Sequence, residues 1–311
     1  MVKNNPHIVF MGTPEFAIPS MLAIHHKYGL KAVVTLPDTS AGRGQNLRPT
    51  AVKVAALQNN IPVLTPQSLK DPSFIQELQN LQPDIIIVVA FRILPKSVYH
   101  IASIGTFNIH GSLLPKYRGA APIQWSLIHG DTETGLTTFL LNDSVDTGNI
   151  LLQKKYTIPE NTSYGELYQQ LMILSVSIAL ETCDGLIHNT IIPKVQDEKV
   201  SSPAPKIFKK HCHISCEQSA KDIKNLIHGL NPIPGAFVSI DNKQVKLLRA
   251  NHYIGNEEVH CGYFLINTNE FLLGCSDGIL SIAELQIEGK PKMKTTDFLR
   301  GYRGILHGKV T

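Results

Sequence analysis

The chain has 311 residues, of which 43% are hydrophobic and 17% charged, and its formal net charge is +4. This length predicts two domains, and the composition is ordinary for a globular protein. The sequence contains no uninterrupted apolar run of the about 18 residues that a membrane helix needs, and its first residues, MVKNNPHIVFMG, lack the features of a signal peptide. We therefore expect a cytoplasmic protein with no membrane partner.

The five cysteines are scattered, which argues against a disulfide framework. Cys212 and Cys216 are close in sequence, but no second pair follows at the spacing of a zinc site, so we expect no metal. Residues 1–205 carry 15 Lys and Arg against 15 Asp and Glu, whereas residues 206–311 carry 14 against 10. The positive excess lies in the last third, as expected either for a module that touches a polyanion or for an ordinary surface.

The first two thirds of the chain predict strands that alternate with helices. We predict strands at 7–11, 30–36, 61–64, 84–90, 106–110, 135–141 and 150–156, and helices at 15–26, 50–59, 71–81, 121–129 and 164–187. This alternation predicts a doubly wound, mostly parallel, Rossmann-like α/β domain. Neither a G-x-G-x-x-G fingerprint nor a Walker lysine motif is present, so a dinucleotide or ATP site is not predicted.

The segment 37–49, PDTSAGRGQNLRP, interrupts this alternation. It combines turn-forming residues with two arginines, Arg43 and Arg48. One interpretation is a surface loop without regular structure. The other is a basic finger that becomes ordered on a phosphate-rich partner.

The last third of the chain has a different pattern. Residues 191–210 contain three prolines and no clear periodicity, which predicts a linker. A helix at 219–229 and short strands at 236–240, 245–249, 262–267, 271–274 and 280–286 follow. These predict a small C-terminal β-barrel of the oligonucleotide-binding (OB) type. We therefore predict a catalytic domain at 1–190, a linker at 191–210 and an OB-like domain at 211–311.

The central candidate for chemistry is the end of the strand at 106–110. Residues two apart on a strand face the same way, so Asn108 and His110 would project together at its carboxyl end, where open α/β sheets place their ligands. A side-chain amide beside an imidazole suits acyl transfer. The alternative is a buried polar pair that closes a strand.

Asp146 lies in a turn after a strand that could neighbour this one, from where its carboxylate could orient His110 or deprotonate a water. Ser112 lacks the G-x-S-x-G context of a nucleophile, which argues against a covalent hydrolase. The set predicts direct attack of a bound amine on an activated carbonyl. Asn108 would stabilise the oxyanion, and His110 and Asp146 would handle the protons.

These residues also carry a resemblance. The stretch NIHGSLLPKYRGAAPIQ from Asn108 to Gln124, with DSVDTG from Asp143 to Gly148, resembles the signature of the folate-dependent formyltransferases. The opening MGTPEF, the AGRG loop and the C-terminal motif with GK and DFLRG resemble the branch of that family that formylates methionyl-tRNA. The resemblance covers essentially the whole chain.

The resemblance implies transfer of a formyl group from 10-formyltetrahydrofolate to the amino group of initiator methionyl-tRNA. It implies Asn108, His110 and Asp146 as catalytic residues, a monomeric protein and no metal. The implied folate-binding residues are Phe91, Arg92, Ile93, Leu94, Ser112, Leu113, Leu114, Pro115 and Asp143, and the tRNA contacts are Arg43, Arg48, Lys290 and Lys292.

Two alternatives remain at this point. A formyltransferase could use the same donor with another amine, such as an amino sugar nucleotide or glycinamide ribonucleotide. The basic finger and the C-terminal barrel argue against it. A binding protein for tRNA or folate without catalysis would be expected to have lost one of the three catalytic residues, and all three are present.

Overall fold

A computed structural model describes residues 6–41 and 46–310. The chain divides into two compact units. Unit 1 contains Met1–Gly119, Thr134–Thr157 and Tyr168–Pro203, and unit 2 contains Ala120–Glu133, Ile158–Leu167 and Ala204–Thr311. Two short segments that precede residue 190, 120–133 and 158–167, are thus grouped with the C-terminal unit. The domain boundaries at 190 and 210 stay a prediction.

Unit 1 is built on a seven-stranded sheet with the order β5-β2-β1-β6-β7-β8-β9. The strands of this unit are β1 (Ile8–Gly12), β2 (Leu30–Val34), β3 (Thr39–Ala41), β4 (Asn46–Arg48), β5 (Val63–Leu64), β6 (Ile85–Val89), β7 (Gly105–His110), β8 (Glu133–Leu140) and β9 (Ile150–Thr157). The pairings from β5 through β7 are parallel, and β8 joins β7 antiparallel. The predicted mostly parallel α/β sheet is confirmed.

The helices of unit 1 include α1 (Ile18–Tyr28), α2 (Ala51–Gln58), α3 (Pro72–Asn80) and α4 (Lys96–Tyr99). Helix α5 (Pro122–Ile128) is grouped with unit 2, and α6 (Tyr164–Ile187) begins in unit 2 and continues in unit 1. Two helix starts have clear causes. Thr50 accepts a hydrogen bond from the backbone N–H of Lys53 before α2, and Asp71 accepts one from Ser73 before α3. Such N-caps satisfy backbone donors that the helix itself leaves free.

The centre of the sheet forms the core of unit 1. Every residue of β1 and of β6 is buried, as expected for parallel strands covered on both faces. These two strands pair in register from Ile8 opposite Ile85 to Gly12 opposite Val89. Their carboxyl ends therefore lie side by side at one edge of the sheet.

For residues 37–49, the structure does not fit the interpretation of a surface loop without regular structure, and it does not test the alternative of a finger that becomes ordered on a partner. The structure pairs β3 with β4 as an antiparallel ribbon, with Thr39 opposite Arg48. The proline and glycine content of the segment concealed this ribbon, because it favours turns over strands. Arg43 lies between the two strands and outside the described residues.

Helix α6 is long and apolar enough to cross a membrane by length and composition alone. Glu166 and Glu181 interrupt its apolar pattern, so this helix is not an uninterrupted apolar run of the kind that the sequence lacks. One helix of this kind is weak evidence for a membrane span, because a core helix passes the same test. Leu171, Ile178 and Cys183 of α6 are fully buried in the protein.

Unit 2 contains α7 (Ala220–Gly229), α8 (Thr295–Gly301) and a curled antiparallel sheet. Its strands are β10 (Ala236–Ile240), β11 (Lys243–His252), β12 (Tyr263–Ile266), β13 (Phe271–Gly274), β14 (Ile279–Ile287), β15 (Met293–Lys294) and β16 (His307–Lys309). The order is β10-β11-β14-β13-β12-β16, with β15 added to β14.

The pairing of β11 with β14 shifts register on either side of Arg249, and such irregularities increase the bend and twist of a sheet. The inner face carries the core, including Leu247, Phe271, Leu280 and Leu285, and α7 packs Ile223 and other apolar residues into the same cluster. The predicted small C-terminal β-domain is confirmed. The sequence patterns did not predict β15, α8 or β16.

Candidate active site

Strand β7 ends at His110, between β6 and β8. Val88 of β6 pairs with Asn108, so the end of β6 lies beside the predicted catalytic strand. The structure thus brings the ends of β1, β6 and β7 to the same edge of the sheet. Ligands of open α/β sheets bind outside such carboxyl ends.

His110 is buried, and its Nε2 lies 2.7 Å from the backbone carbonyl oxygen of Tyr117. A carbonyl oxygen can only accept a hydrogen bond, so Nε2 carries the proton in this contact. In the neutral ring, Nδ1 is then the nitrogen with a free lone pair. Nδ1 lies 3.7 Å from Oδ2 of Asp146.

Asp146 lies in the turn that follows β8 and has a left-handed backbone, with φ of +54°. Its Oδ2 accepts a hydrogen bond of 2.8 Å from the backbone N–H of Gly119. The left-handed region is uncommon for residues other than glycine. This conformation and the Gly119 contact direct the carboxylate toward His110.

Asn108 contributes an unpartnered polar atom. Its Oδ1 is buried and has no hydrogen-bond partner in the described protein. Leaving a buried amide oxygen unpaired costs free energy, and such atoms call for an explanation. A hydrogen-bond donor on a bound ligand would satisfy it.

The loop from 111 to 119 follows β7, and Thr137 of β8 holds it in place. Thr137 Oγ1 donates to the carbonyl of Ser112 at 2.7 Å and accepts from the N–H of Leu114 at 3.0 Å. Gln153 donates to both the Leu114 carbonyl and Thr137 Oγ1. Hydrogen bonds within the protein therefore fix the shape of the loop.

This packing bears on the predicted folate-binding residues of the loop. Ser112 is fully buried, and its hydroxyl donates to the carbonyl of Lys116. Leu114 is also buried, whereas Leu113 and Pro115 are partly exposed. Since the Ser112 hydroxyl is already paired, a role for this residue in folate binding, which stays a prediction, would operate through the shape of the loop.

The segment from Phe91 to Leu94 follows β6. Leu94 is buried, Phe91 and Arg92 are partly exposed, and the Ile93 side chain is 78% exposed. Arg92 donates to the carbonyls of Pro66 and Gln67, and its Nε is buried without a partner. Burial lowers the pKa of the Arg92 guanidinium.

Asp143 is exposed at the other end of the Asp146 turn. Tyr99 donates a short hydrogen bond to Asp143 Oδ1, and Lys96 lies 3.4 Å from Oδ2. The Tyr99 hydrogen bond, followed by the Lys96 contact, lowers the pKa of this carboxyl. Asp143 is thus ionised and anchored to α4.

The predicted tRNA contacts are distributed over both units. Arg48 is exposed at the end of β4 in unit 1, and Lys290 and Lys292 are exposed beside β15 in unit 2. Arg43 lies outside the described residues. Within the described ranges, no group of three or more His, Cys, Asp or Glu side chains is placed to hold a metal ion.

Three residues at the site were missed by the sequence analysis. Gln196 and Ser202 lie in the segment predicted as a linker, and both contact the turns that carry the candidate site. Their sequence context carries no motif or periodicity that would indicate this. Thr13, at the end of β1, was also missed, and its Oγ1 is buried without a partner.

Comparison with known proteins identifies the family of this chain. The profile of the family described as "Formyl transferase" matches residues 7–183, and that of "Formyl transferase, C-terminal domain" matches residues 206–303. Among solved structures, the sugar 3N-formyl transferase WlaRD has a TM-score of 0.68 at 22% identity, covering 92% of this chain and 99% of its own. The N-formyltransferase from Helicobacter canadensis has a TM-score of 0.69 at 20% identity, covering 93% and 100%. At these identities the structures show a shared fold.

Curated sequences are closer. The methionyl-tRNA formyltransferase of Parabacteroides distasonis is 40% identical over 98% of this chain and 98% of its own length. The enzyme of the same name from Clostridium novyi is 41% identical over 94% and 96%, and that of Bacteroides thetaiotaomicron is 38% identical over 97% and 98%. The chain therefore belongs to the formyltransferase family, in the branch of the methionyl-tRNA formyltransferases.

Proposed function

We propose that the protein transfers the formyl group of 10-formyltetrahydrofolate to the amino group of methionine esterified to initiator tRNA. The observation that carries the proposal is the Asn108, His110 and Asp146 set at the end of β7, with the His110 Nδ1 facing Asp146. Relatives of 38–41% identity over nearly the whole chain carry the name of this activity.

The donor supplies a formyl carbonyl bonded to a folate nitrogen, which is an activated carbonyl for an amine. The segments 91–94 and 112–115 and the turn at Asp143 would hold it. The structure offers an independent reason for a ligand here, since Asn108 Oδ1 and Arg92 Nε are buried without partners near the ends of neighbouring strands. A pterin and a formyl group bring both donors and acceptors, so the residues present fit such a ligand.

Asn108 would bind the reacting groups through both ends of its amide. The amide N–H groups donate to the carbonyl oxygen as it gains negative charge, which is the role of an oxyanion hole. The unpartnered Oδ1 can accept a hydrogen bond from the attacking amine. One side chain would thereby orient the nucleophile and stabilise the charge that forms.

His110 and Asp146 would handle the protons. The Tyr117 carbonyl holds the proton of His110 on Nε2, so Nδ1 can accept one as the amine forms its new bond to carbon. The Asp146 carboxylate, 3.7 Å from Nδ1, would stabilise the imidazolium. The same pair can then return a proton to the leaving nitrogen as its bond to the formyl carbon breaks, and no net proton remains on the protein.

The proposal includes tRNA contacts and a cellular setting. Arg43 and Arg48 would meet the acceptor stem, and Lys290 and Lys292 would contact backbone phosphates. Residues 206–311 hold 14 Lys and Arg against 10 Asp and Glu, which suits a surface that approaches a polyanion. We propose a monomer that works in the cytoplasm.

Single-turnover formylation of charged initiator tRNA with 10-formyltetrahydrofolate tests the proposal, with a charged elongator tRNA as control. We expect His110→Ala to lower the rate by about 10²- to 10⁴-fold, because it removes the proton acceptor. Arg43→Ala should mainly weaken selection of the initiator tRNA. If wild type formylates neither tRNA but accepts an amino sugar nucleotide or glycinamide ribonucleotide, the tRNA assignment is wrong and the alternative formyltransferase assignment is right.

A further inference from the structure

Residues 196–202, which we call the strap, contact both turns that carry the candidate catalytic pair. Gln196 begins the strap and is only 6% exposed. Its Nε2 donates to the backbone carbonyls of Asp146 at 2.9 Å and Gly148 at 2.8 Å. Two hydrogen bonds from one buried amide therefore hold the turn on both sides of Thr147.

The other end of the Gln196 amide fixes its orientation. Oε1 accepts from Arg118 Nε at 3.1 Å and from Arg118 Nη2 at 2.7 Å. Arginine can only donate and the two backbone carbonyls can only accept, so the amide has one arrangement that satisfies all four contacts. Gln196 thus links the Asp146 turn to the loop at 111–119.

Glu198 adds a second contact from the strap to Arg118. Its carboxylate accepts from Nη1 at 2.7 Å and Nη2 at 2.8 Å, a bidentate pair. These hydrogen bonds raise the pKa of Arg118 and lower that of Glu198. The guanidinium is therefore held between two residues of the strap.

The far end of the strap contacts Tyr117, whose carbonyl accepts from His110. Ser202 Oγ accepts from the N–H of Tyr117 at 2.9 Å, and the Ser202 carbonyl accepts from the N–H of Arg118 at 2.8 Å. The Ser202 N–H donates to the carbonyl of Pro115. The position of the carbonyl that fixes the His110 proton thus depends on Ser202.

Backbone conformation gives a separate reason to assign a role to these contacts. Tyr117 has φ of +63° and Asp146 has φ of +54°, and neither is glycine. Residues held in this region persist only where their surroundings impose it, and they cluster at functional sites. The strap contacts both of them.

We propose that the strap positions the catalytic pair, with Gln196 setting Asp146 and Ser202 setting the Nε2–H tautomer of His110. This inference rests on the proposed function for its effect on rate, but its structural part does not. Gln196 and Ser202 are positioning residues, because they touch the backbone of the turns rather than the reacting atoms.

The test uses Gln196→Ala, Ser202→Ala and Ser202→Thr, the last of which keeps the accepting oxygen. Asn59→Ala is the matched control, because it removes a side-chain hydrogen bond to a backbone carbonyl at the end of α2. The first readout is the ¹⁵N NMR spectrum of the histidine-labelled full-length protein at neutral pH without ligand, which reports the His110 tautomer. Thermal unfolding of each variant checks that it is folded.

We expect wild type, Ser202→Thr and Asn59→Ala to show the Nε2–H tautomer, and Ser202→Ala to show a mixture. In single turnover, Ser202→Ala and Gln196→Ala should lower the rate at saturating substrates by about 10- to 100-fold, as small misplacements of catalytic groups do. The substrate concentration for half-maximal rate should change little, and Ser202→Thr should restore the rate.

Two outcomes would overturn the inference. One is a folded Ser202→Ala protein whose His110 keeps the wild-type tautomer. The other is a loss of rate in Gln196→Ala no larger than in Asn59→Ala. Because the NMR spectrum requires no substrate, it judges the positioning of His110 even if the protein proves to act on another amine.

Discussion

Two neighbouring regions of unit 1 differ in whether their buried polar groups have hydrogen-bond partners within the protein. In the loop after β7, Ser112 and Leu114 make hydrogen bonds within the protein, and Thr137 of β8 is one of their partners. At the ends of β1, β6 and β7, Thr13 Oγ1, Arg92 Nε and Asn108 Oδ1 are buried without partners. Among the residues described, only Thr134 Oγ1 shares this property.

This difference suggests that the loop after β7 supports the site, whereas the strand ends form the surface that binds substrate. A buried polar group without a partner costs free energy in the unbound protein. Such groups are expected where a ligand supplies the missing hydrogen bonds, and the carboxyl ends of strands are where α/β sheets bind ligands. The loop with its complete hydrogen bonds gives the site its shape, and the sheet edge leaves hydrogen-bonding capacity for substrate.

The largest effect, a loss of reaction rate, is expected at Asn108, one of the residues with an unpartnered buried atom at the strand ends. Asn108→Ala should lower the single-turnover rate by about 10²- to 10³-fold, because it removes an oxyanion donor. The midpoint of urea unfolding should stay close to that of wild type, because Oδ1 has no hydrogen-bond partner among the described protein groups. Asn59→Ala, which loses a hydrogen bond instead, is the control. A variant that unfolds much more easily than this control would show that the Asn108 side chain supports the fold.

An intermediate effect, on the free energy of unfolding, is expected when the hydrogen bonds that hold the loop after β7 are removed. Thr137→Val should lower the free energy of unfolding by about 1–3 kcal/mol, because the N–H of Leu114 and the amide of Gln153 lose their acceptor. Thr137→Ser keeps the oxygen and serves as control. Chemical denaturation of both variants measures the difference. If Thr137→Val were as stable as wild type, the hydrogen bonds of the loop after β7 would not support the fold, and the loop would not differ from the strand ends in this respect.

The smallest effect on stability is expected at Glu198 in the strap. Its hydrogen bonds with Arg118 lower the pKa of the Glu198 carboxyl. A carboxyl with a lowered pKa contributes stability above its unfolded value of about 4.3 and loses it as the pH falls through the folded pKa. Glu198→Gln should therefore be slightly less stable than wild type at neutral pH and equal to it in acid. The effect is small because the Glu198 side chain is 69% exposed. Urea unfolding at several pH values measures it, and a difference that grows in acid would contradict it.

The sequence predicted the fold where local pattern and tertiary structure agree. The predicted long helix coincides with Tyr164–Ile187, and the apolar run at 84–90 contains the buried strand Ile85–Val89. Long helices and buried strands have strong periodic signals. The two-residue β15 and three-residue β16 are too short to show one.

The sequence pointed to some residues of the candidate site and missed others, depending on whether a local pattern marks them. Asn108 and His110 share a strand, so their proximity follows from alternation alone. Gln196 is separated from Asp146 by 50 positions in sequence, and only the folded chain brings their hydrogen-bonding groups together. Proline-rich composition predicted a linker there, because composition carries no information about distant partners.

The strap also determines how the protein can be divided. Unit 1 ends at Pro203 and unit 2 resumes at Ala204, so the last residues of unit 1 are those that hold the candidate active site. A fragment ending at residue 190, the predicted domain boundary, would keep Asn108, His110 and Asp146 but lose Gln196 and Ser202. A fragment that is meant to keep the strap should therefore extend at least to Pro203.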